Sequence, residues 1–415
     1  MGKEHAARPL RRLAVKRLIL GAMVVLVISG CEGLKKLTTV SEAKVEAAKR
    51  WNVTRAAMVC AVALEQFKTG QLDSAAAEAR KALTMDEKCL QARLLLAKVE
   101  IEKGRNAAAC AELKRVLEQA PQSSEAFYLL GVAQEKAGQF NEALESYRRA
   151  YALDQSNLAP ISAAAEVLVR TGRTREAMLY IGSYAPKADN DVELFELGGR
   201  VAVMTRDYAK AVTYYQRAAD LDTANAYYRE CLGRAQLMAG MPAEAADTLY
   251  PLTCEGDREA SPWVYATLGD CYMAMQKPRL ASEAYQRACR YLESSAGIRA
   301  SLAKALLAEG DVSEAIATAK EALRLDAKCL EATLVLGYAL FQDGQIDNAV
   351  RELTKAAADY PDESTLWCLL GRAHAAGGNE VSAIRCYTTA LRVDPDSSLA
   401  RELLDQTQVK TSSRM

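Results

Sequence analysis

A motif that returns every 34 residues constrains the fold of this chain more than any other feature of its sequence. The segments 129–154, 335–361 and 369–395 share one pattern: a small residue, a glycine seven positions later, an alanine five positions after that, and another small residue after seven more. Two antiparallel helices approach closely only where their facing surfaces lack bulk, and the turn between them favours a residue that tolerates a positive φ. The pattern therefore predicts helical hairpins repeated along the chain.

Laid out at this period, the chain contains ten repeats, which begin at residues 56, 90, 124, 158, 192, 226, 262, 296, 330 and 364. One step is 36 residues long, because an insertion falls around 254–261. Position 20 of the repeat is always alanine: Ala75, Ala109, Ala143, Ala177, Ala211, Ala245, Ala281, Ala315, Ala349 and Ala383. Position 8 is always glycine or alanine. An unrelated alanine-rich bundle would not keep ten units in register.

The predicted turn and the end of each hairpin have their own signals. Glycine occupies the turn at position 15 in eight repeats, and Arg206 and Gln276 replace it in the other two. Prolines at 121, 361 and 395 follow second helices, where a helix is expected to stop. Tyrosine occupies position 24 in four repeats and is predicted to fill space between neighbouring hairpins: Tyr147, Tyr215, Tyr285 and Tyr387.

This pattern resembles the tetratricopeptide repeat, whose period is also 34 residues. The resemblance covers residues 56–397 and implies an all-α fold, a right-handed superhelical solenoid of about ten helix-turn-helix repeats. The units are then 56–89, 90–123, 124–157, 158–191, 192–225, 226–261, 262–295, 296–329, 330–363 and 364–397. In this family the first helices line an extended concave surface that binds partners.

The segments on either side of the repeats carry separate predictions. Residues 31–55 are interpreted as a tether and a leading helix, in which 39–42 reads as a capping box. Residues 398–407 are predicted to form a capping helix over the exposed face of the last repeat, as the terminal units of solenoids must. Residues 408–415 are predicted to be a disordered tail.

Residues 1–30 have the composition of a secretory signal peptide. Six Lys/Arg and one acidic residue fall within 1–17, and the thirteen-residue apolar run 18–30 carries no charge. As a helix this run covers about 20 Å, which is short of the ~30 Å hydrocarbon core of a bilayer. A helix that spans the membrane is therefore the weaker of the two interpretations.

The end of this leader, I-S-G-C at 28–31, resembles the bacterial lipobox. In that family the cysteine is lipidated on sulfur and becomes the first residue of the mature protein, so the resemblance implies lipidation of Cys31. An ordinary cysteine at the end of a membrane helix is the alternative. Both interpretations place the body of the chain outside the cytoplasm, because the positive flank stays inside. We expect a protein of the bacterial cell envelope, lipid-anchored to a membrane and facing the periplasm or the exterior.

Composition excludes several classes of function. Beyond residue 30 the chain carries 47 basic and 52 acidic residues, with no basic stripe suited to nucleic acid. Ten cysteines follow Cys31, without a C-x-x-C, and His374 is the single histidine beyond residue 30, so no metal or haem site is expected. Most of these cysteines occupy helix positions that hold Ala or Leu in other repeats, which indicates small core residues. One or two disulfides remain an open alternative in an oxidising compartment.

Catalysis is not expected from this sequence. The ten hairpins use nearly the whole chain and leave no room for a catalytic domain. The sequence contains no G-x-S-x-G, no H-E-x-x-H and no P-loop. His374 is interpreted as a core residue of the last repeat. We therefore predict a protein that is not an enzyme and that needs no cofactor.

The resemblance assigns positions 2, 5, 9, 12 and 13 of each repeat to the concave surface. Side chains at positions 5 and 9 are apolar or mixed in the first and last repeats and charged in the central ones. Two glutamate–arginine pairs with i,i+4 spacing fall in the centre, beside a tyrosine and a tryptophan at position 2. Arg and Trp dominate interface hot spots. The predicted partner-binding groove is therefore Glu196, Arg200, Tyr227, Glu230, Arg234, Trp263, Asp270 and Lys304.

Two functions fit this sequence. The first is a membrane-anchored scaffold that binds protein or peptide partners through its concave face in bacterial envelope assembly. The second is an adaptor or carrier that binds secreted polysaccharide in the same groove. It is equally open that the central charges form only a solvated face and pair with one another. The carboxylate clamp of chaperone-binding relatives needs Lys at position 5 and Asn at position 9, and no repeat has them.

Overall fold

The computed structural model describes residues 43–188, 190–254 and 260–414. Over these ranges the chain contains twenty-one α-helices, two short 3-10 segments and no strand, which confirms the all-α prediction. The leader, Cys31 and the predicted capping box at 39–42 lie outside the described residues.

Helices are numbered in chain order. The first helices of the hairpins are α1 (43–68), α3 (Leu90–Glu102), α5 (Ser124–Lys136), α7 (Ala159–Arg170), α9 (Val192–Met204), α11 (Ala226–Met238), α13 (Pro262–Ala274), α15 (Ala296–Glu309), α17 (Leu330–Gln342) and α19 (Ser364–Ala376). The second helices are α2 (Leu72–Met85), α4 (Asn106–Gln119), α6 (Phe140–Leu153), α8 (Thr174–Tyr184), α10 (Tyr208–Leu221), α12 (Pro242–Leu249), α14 (Pro278–Tyr291), α16 (Val312–Leu325), α18 (Ile346–Asp359) and α20 (Glu380–Val393). The C-terminal helix is α21 (Ser398–Arg414).

The helix boundaries follow the 34-residue period closely. Eight of the first helices begin at the first residue of their repeat, and α7 begins one residue later. The first repeat differs, because α1 is one continuous helix over 43–68 and joins the leading segment to the repeat without a break. The chain divides into two compact units, unit 1 up to Gly172 and unit 2 from Arg173.

The hydrophobic core of each unit is a strip that continues from one hairpin to the next. In unit 2 a single cluster of buried side chains extends from Tyr265 in α13 to Cys386 in α20. In unit 1, two clusters of buried side chains have members from α1 to α5. The position-20 alanine is fully buried in all ten repeats. The two helices of a hairpin thus bury apolar side chains between them, and each hairpin buries further side chains against the next one, as expected of stacked repeats.

Within a hairpin, positions 8 and 24 share a fixed space. In the four repeats with tyrosine at position 24, position 8 is glycine, and a Cβ added to that glycine would lie less than 3.0 Å from the ring. The ring therefore packs against the first helix of its own hairpin. The sequence predicted only that these tyrosines fill space between neighbouring hairpins. Repeats with Ala at position 8 carry smaller residues at position 24, such as Leu113 opposite Ala97.

The turns between paired helices all use the same backbone conformation. The eight position-15 glycines have φ between 71° and 100°. Arg206 and Gln276 adopt the same left-handed conformation, with φ of 59° and 57°, although both carry a side chain. A left-handed residue other than glycine costs roughly 1–2 kcal/mol. The hairpin geometry thus dictates the turn even in the two repeats whose sequence departs from the pattern.

Two second helices are shorter than the others, and proline explains both. The eight-residue α12 gives way to a 3-10 segment, Tyr250–Thr253, that contains Pro251. Likewise α8 ends before the 3-10 segment Ala185–Lys187, which contains Pro186. Proline lacks the backbone N–H that continues an α-helix and clashes with the preceding turn. The insertion predicted around 254–261 follows the first of these breaks.

The C-terminal helix is longer than predicted. It continues to Arg414, so the predicted end at 407 and the predicted disordered tail at 408–415 are corrected to helix as far as Arg414. The segment contains no glycine or proline that would interrupt it. Thr407 is buried, and its hydroxyl donates a hydrogen bond to the Leu403 carbonyl at 2.8 Å.

The shared space between positions 8 and 24 makes a testable prediction. Gly131→Ala places its Cβ about 2.5 Å from the Tyr147 ring, so we expect overpacking to lower the free energy of unfolding by about 1–3 kcal/mol. Adding Tyr147→Leu should recover part of that loss, because the double variant copies the Ala97–Leu113 pair of the second repeat. Urea unfolding of the two single variants and the double variant measures this coupling.

Gly297→Ala is the matched control, because nothing lies within 4 Å of its added Cβ and the residue is helical. This variant should be neutral or slightly stabilised. Strict additivity of the Gly131 and Tyr147 substitutions would contradict the packing argument.

Candidate functional site

The surface that could bind a partner is built from the first helices of unit 2, at repeat positions 2, 5, 9, 12 and 13. We call this surface the first-helix face. All eight residues of the predicted groove belong to α9, α11, α13 and α15, so they all lie in unit 2. Apart from Trp263, their contacts place them in three groups.

The first group contains Glu196, Arg200 and Tyr227. Arg200 lies beside Glu196 on α9, with 3.8 Å between Nη2 and Oε2. The Tyr227 hydroxyl, from α11, donates to the other glutamate oxygen at 3.3 Å. Glu196 therefore accepts contacts from both its own helix and the next first helix. The predicted i,i+4 pair forms here.

The second predicted pair does not form in the same way. Glu230 and Arg234 lie one turn apart on α11, but Arg234 donates through Nη2 to the Cys231 sulfur at 3.5 Å. Between these two described residues the structure records no ion pair. The sulfur of Cys231 is buried, and the nearby guanidinium charge opposes the rise in the pKa of the thiol that burial causes.

The third group surrounds Asp270. Its carboxylate accepts a hydrogen bond from the Tyr285 hydroxyl at 2.6 Å. Desolvation raises the pKa of Asp270, although the Tyr285 hydrogen bond and the positive charge of Lys304 both act to lower it. Lys304 also lies 3.8 Å from Glu331 on the next first helix. This group links three consecutive repeats.

The two aromatic residues of the predicted groove remain accessible. Tyr227 and Trp263 have 49% and 55% of their surface exposed. Trp263 follows the N-cap Ser261, whose hydroxyl accepts a hydrogen bond from the tryptophan backbone N–H at 3.3 Å. Large exposed aromatic side chains at repeat position 2 are available for contact with a partner.

The best-formed groove of the first-helix face lies further along the chain than predicted. It has a volume of about 700 Å³ and lies among α13, α15, α17, α19 and α21. Of the eight predicted residues, only Lys304 lines it. We call it the C-terminal groove, and its lining comprises Met273, Lys304, Leu307, Ala308, Glu331, Leu334, Val335, Tyr338, Gln342, Thr365, Cys368, Leu369, Arg372 and Leu399.

The sequence held a signal for this groove. Positions 5 and 9 of the last two repeats are Leu334, Tyr338, Cys368 and Arg372, which makes this end apolar with one cation. The prediction favoured the central repeats because charge and aromatic residues coincide there. Apolar first-helix positions in adjacent repeats were the better indicator, since concave ligand sites are lined mainly by apolar and aromatic side chains.

An aromatic pair holds the cation of the C-terminal groove. The Tyr338 and Phe341 rings stack with centroids 6.3 Å apart and an interplanar angle of 14°. The guanidinium of Arg372 lies over both rings, 5.6 Å from the first centroid and 5.2 Å from the second. Such cation–π contacts contribute about 0.5–2 kcal/mol and restrict the rotamers of the arginine.

Unit 1 has a smaller groove of its own. It has a volume of about 280 Å³ and is lined by residues of α1, α3 and α5, among them Leu64 and Leu94. Lys98 and Glu125 face each other across it, with 2.7 Å between Nζ and Oε1. The charges of Lys98 and Glu125 thus offset each other within the chain, whereas Arg372 in the C-terminal groove contacts aromatic rings.

The described cysteines are free thiols, and all but Cys254 are at least partly buried. Burial raises the pKa of Cys60 and of Cys386 to about 11, and that of Cys271 to about 12. These thiols stay protonated at neutral pH, whereas a catalytic cysteine needs a lowered pKa. Over the same described part of the chain, no group of three or more His, Cys, Asp or Glu residues could hold a metal ion.

Among the described helices, none has the length and apolar character required to cross a membrane.

Models of one protein family match most of the chain. One tetratricopeptide repeat model matches residues 66–132, 135–200, 306–367 and 340–406. A second, also described as a tetratricopeptide repeat, matches 197–252 and 267–328. A search of curated proteins finds no match.

The solved structures that resemble the chain include the following two. The crystal structure of the APC/C hetero-tetramer Cut9-Hcn1 is 16% identical, with a TM-score of 0.46 over 85% of this chain and 76% of that chain. The crystal structure of the P58(IPK) TPR domain is also 16% identical, with a TM-score of 0.31 over 87% of this chain and 100% of that chain.

The raised pKa of Asp270 predicts a pH-dependent effect. A folded-state pKa above the unfolded value means that the native state gains stability as the carboxylate becomes protonated, and loses it as the pH rises through the folded pKa. Asp270→Asn should therefore be more stable than the wild type at pH 7, and the difference should shrink as the pH falls through the folded pKa and disappear below the unfolded value of about 3.9. Urea unfolding followed by tryptophan fluorescence tests this, since Trp263 lies on the same helix.

Asp73→Asn provides a control of opposite sign. The hydrogen bond from Lys103 lowers the pKa of Asp73, so its carboxylate stabilises the fold above the unfolded pKa and loses that effect in acid. This variant should be the less stable one at pH 7. A difference for Asp270→Asn that stayed constant with pH would contradict the assignment.

Proposed function

The chain belongs to the tetratricopeptide repeat family, and from this premise we propose that it is a protein-binding scaffold held at a bacterial envelope membrane by a lipidated Cys31. Repeats of this family form scaffolds for protein–protein interaction, and the matched models include no catalytic family. In this proposal the lipid on Cys31 anchors the protein, which lies in the cell envelope and takes part in envelope assembly.

One observation carries the binding proposal. The C-terminal groove combines an apolar lining with an arginine held over two aromatic rings, and it is formed by first helices, which are the partner-binding helices of repeat solenoids. Its volume of about 700 Å³ lies in the range of ligand-binding clefts. A partner side chain can enter such a cleft without displacing any part of the core.

The anchor proposal rests on sequence. The basic leader, the uncharged run 18–30 and the I-S-G-C ending at Cys31 occur in the order that a lipoprotein leader has. Two or three acyl chains hold a protein durably at a bilayer, because each buried CH₂ contributes about 0.8 kcal/mol. Eleven residues, 32–42, separate Cys31 from the first described residue of α1, a length that suits a short tether.

A second candidate, binding of secreted polysaccharide, has one observation in its favour. Tyr227 and Trp263 present accessible rings on neighbouring first helices, and the Tyr227 hydroxyl donates a hydrogen bond to Glu196. Aromatic faces with hydrogen-bonding neighbours are a surface on which sugar rings can stack. Both candidates use the first-helix face, and one experiment can separate them.

Site-specific photocrosslinking in cells tests the scaffold function. A photoreactive amino acid at Trp263 or Leu334 samples the first-helix face, and one at Leu280 or Leu325 samples exposed positions of second helices. We expect a defined envelope protein to crosslink from the first two positions and not from the other two. The four variants carry the same reactive group, so differences report the surface.

The same set of crosslinked proteins from all four positions would overturn the scaffold proposal. Absence of any protein adduct, together with protection of Trp263 fluorescence by soluble envelope glycan, would favour the polysaccharide adaptor instead.

Intact-mass measurement tests the anchor. Protein purified from membranes should begin at Cys31 and carry the added mass of a lipid on that residue. Cys31→Ser, which leaves the leader unchanged, should lose this mass and keep residues 1–30. Cleavage at another bond, or an unmodified Cys31 in the wild type, would contradict the lipoprotein assignment.

A further inference from the structure

The chemistry of the C-terminal groove specifies what it can bind. Leu307, Leu334, Val335, Leu369 and Leu399 form an apolar wall in its lining and come from four different helices. Burying apolar surface gains about 25 cal/mol per Å², so bulky apolar side chains of a ligand are favoured along this wall. A ligand made only of polar groups would leave its hydrogen-bonding atoms without partners there.

The charges of the groove are not balanced. Lys304 and Glu331 lie 3.8 Å apart and offset each other. Arg372 makes its recorded contacts with the rings of Tyr338 and Phe341, and within the described part of the chain it makes no ion pair. The groove therefore offers one positive charge without a negative partner.

That charge is positioned in advance. Because two stacked rings hold the guanidinium, Arg372 loses little side-chain freedom when a ligand binds. Its planar donor fork matches a carboxylate, which can accept two parallel hydrogen bonds from it. A single cation in an apolar setting suits one carboxylate better than a polyanion, which Glu331 would repel.

We propose that the C-terminal groove binds a short peptide segment of a partner protein, in which bulky apolar side chains flank a carboxylate that pairs with Arg372. This inference rests on the proposed scaffold function and names the chemistry of the partner. Apolar side chains provide the affinity along α15, α17 and α19, and the carboxylate fixes the register of the segment. The arginine and the aromatic pair serve as one recognition unit.

Selection from a random dodecapeptide phage library on the immobilised full chain tests the proposal. Enriched peptides should carry an Asp or Glu within a few residues of two bulky apolar side chains. The same selection on Arg372→Glu should replace the acidic residue with Lys or Arg. Arg385→Glu is the matched control, because Arg385 is exposed on α20 and does not line the groove; it should select the wild-type motif.

A second measurement needs no protein variant. The most enriched peptide and its Asp→Asn or Glu→Gln counterpart are compared on the wild-type chain by fluorescence anisotropy. Loss of the carboxylate should weaken binding by about tenfold or more. Equal affinity of the two peptides, or an acidic motif that persists on Arg372→Glu, would overturn the proposal.

The failure of this inference is distinguishable from failure of the scaffold function. If the selection yields no motif while crosslinking from Trp263 still captures a defined protein, the scaffold stands and the proposed chemistry of the groove is wrong. If enriched peptides are basic or purely polar, the partner chemistry is wrong as well. Crosslinks that do not depend on position would remove the premise of both.

Discussion

The close approach of two helices within each hairpin is the contact on which the rest of the structure depends. It requires a fully buried alanine at position 20 and a small residue at position 8, and the side chain at position 24 fills what remains. Protein interiors are packed to nearly crystalline density, so volume added at one of these positions must be removed at another. Gly131 opposite Tyr147 and Ala97 opposite Leu113 are two solutions to the same constraint.

This constraint occupies one side of each first helix and leaves the other side open to variation. Side chains at positions 2, 5, 9, 12 and 13 lie outside the contact of positions 8, 20 and 24, and their residue types differ from repeat to repeat. In unit 2 they change from charged around Glu196 to apolar around Leu334. The fold thus provides the surface, and the function depends on which side chains that surface carries.

The sequence predicted the helices and turns well because both follow from local rules repeated ten times. It did not predict the contacts of individual polar side chains, because these depend on the rotamer of each side chain and on the atoms around its polar group. Arg234 contacts Cys231 rather than Glu230, and Asp270 accepts a hydrogen bond from Tyr285. Those contacts engage much of the charge that had marked the centre as the site. The prediction also ended α21 too early, at 407. No glycine or proline in 398–414 interrupts the helix, which continues to Arg414.

The difference between the two ends of the first-helix face bears on what each can recognise. Around Glu196 and Arg200, charges satisfy one another, and a ligand must compete with existing contacts to bind them. In the C-terminal groove the apolar wall gains free energy from any apolar side chain, while the positive charge of Arg372 favours only ligands that bring a carboxylate. Affinity and specificity are therefore assigned to different side chains, so a partner that lacked the carboxylate could still enter the groove but would bind less tightly.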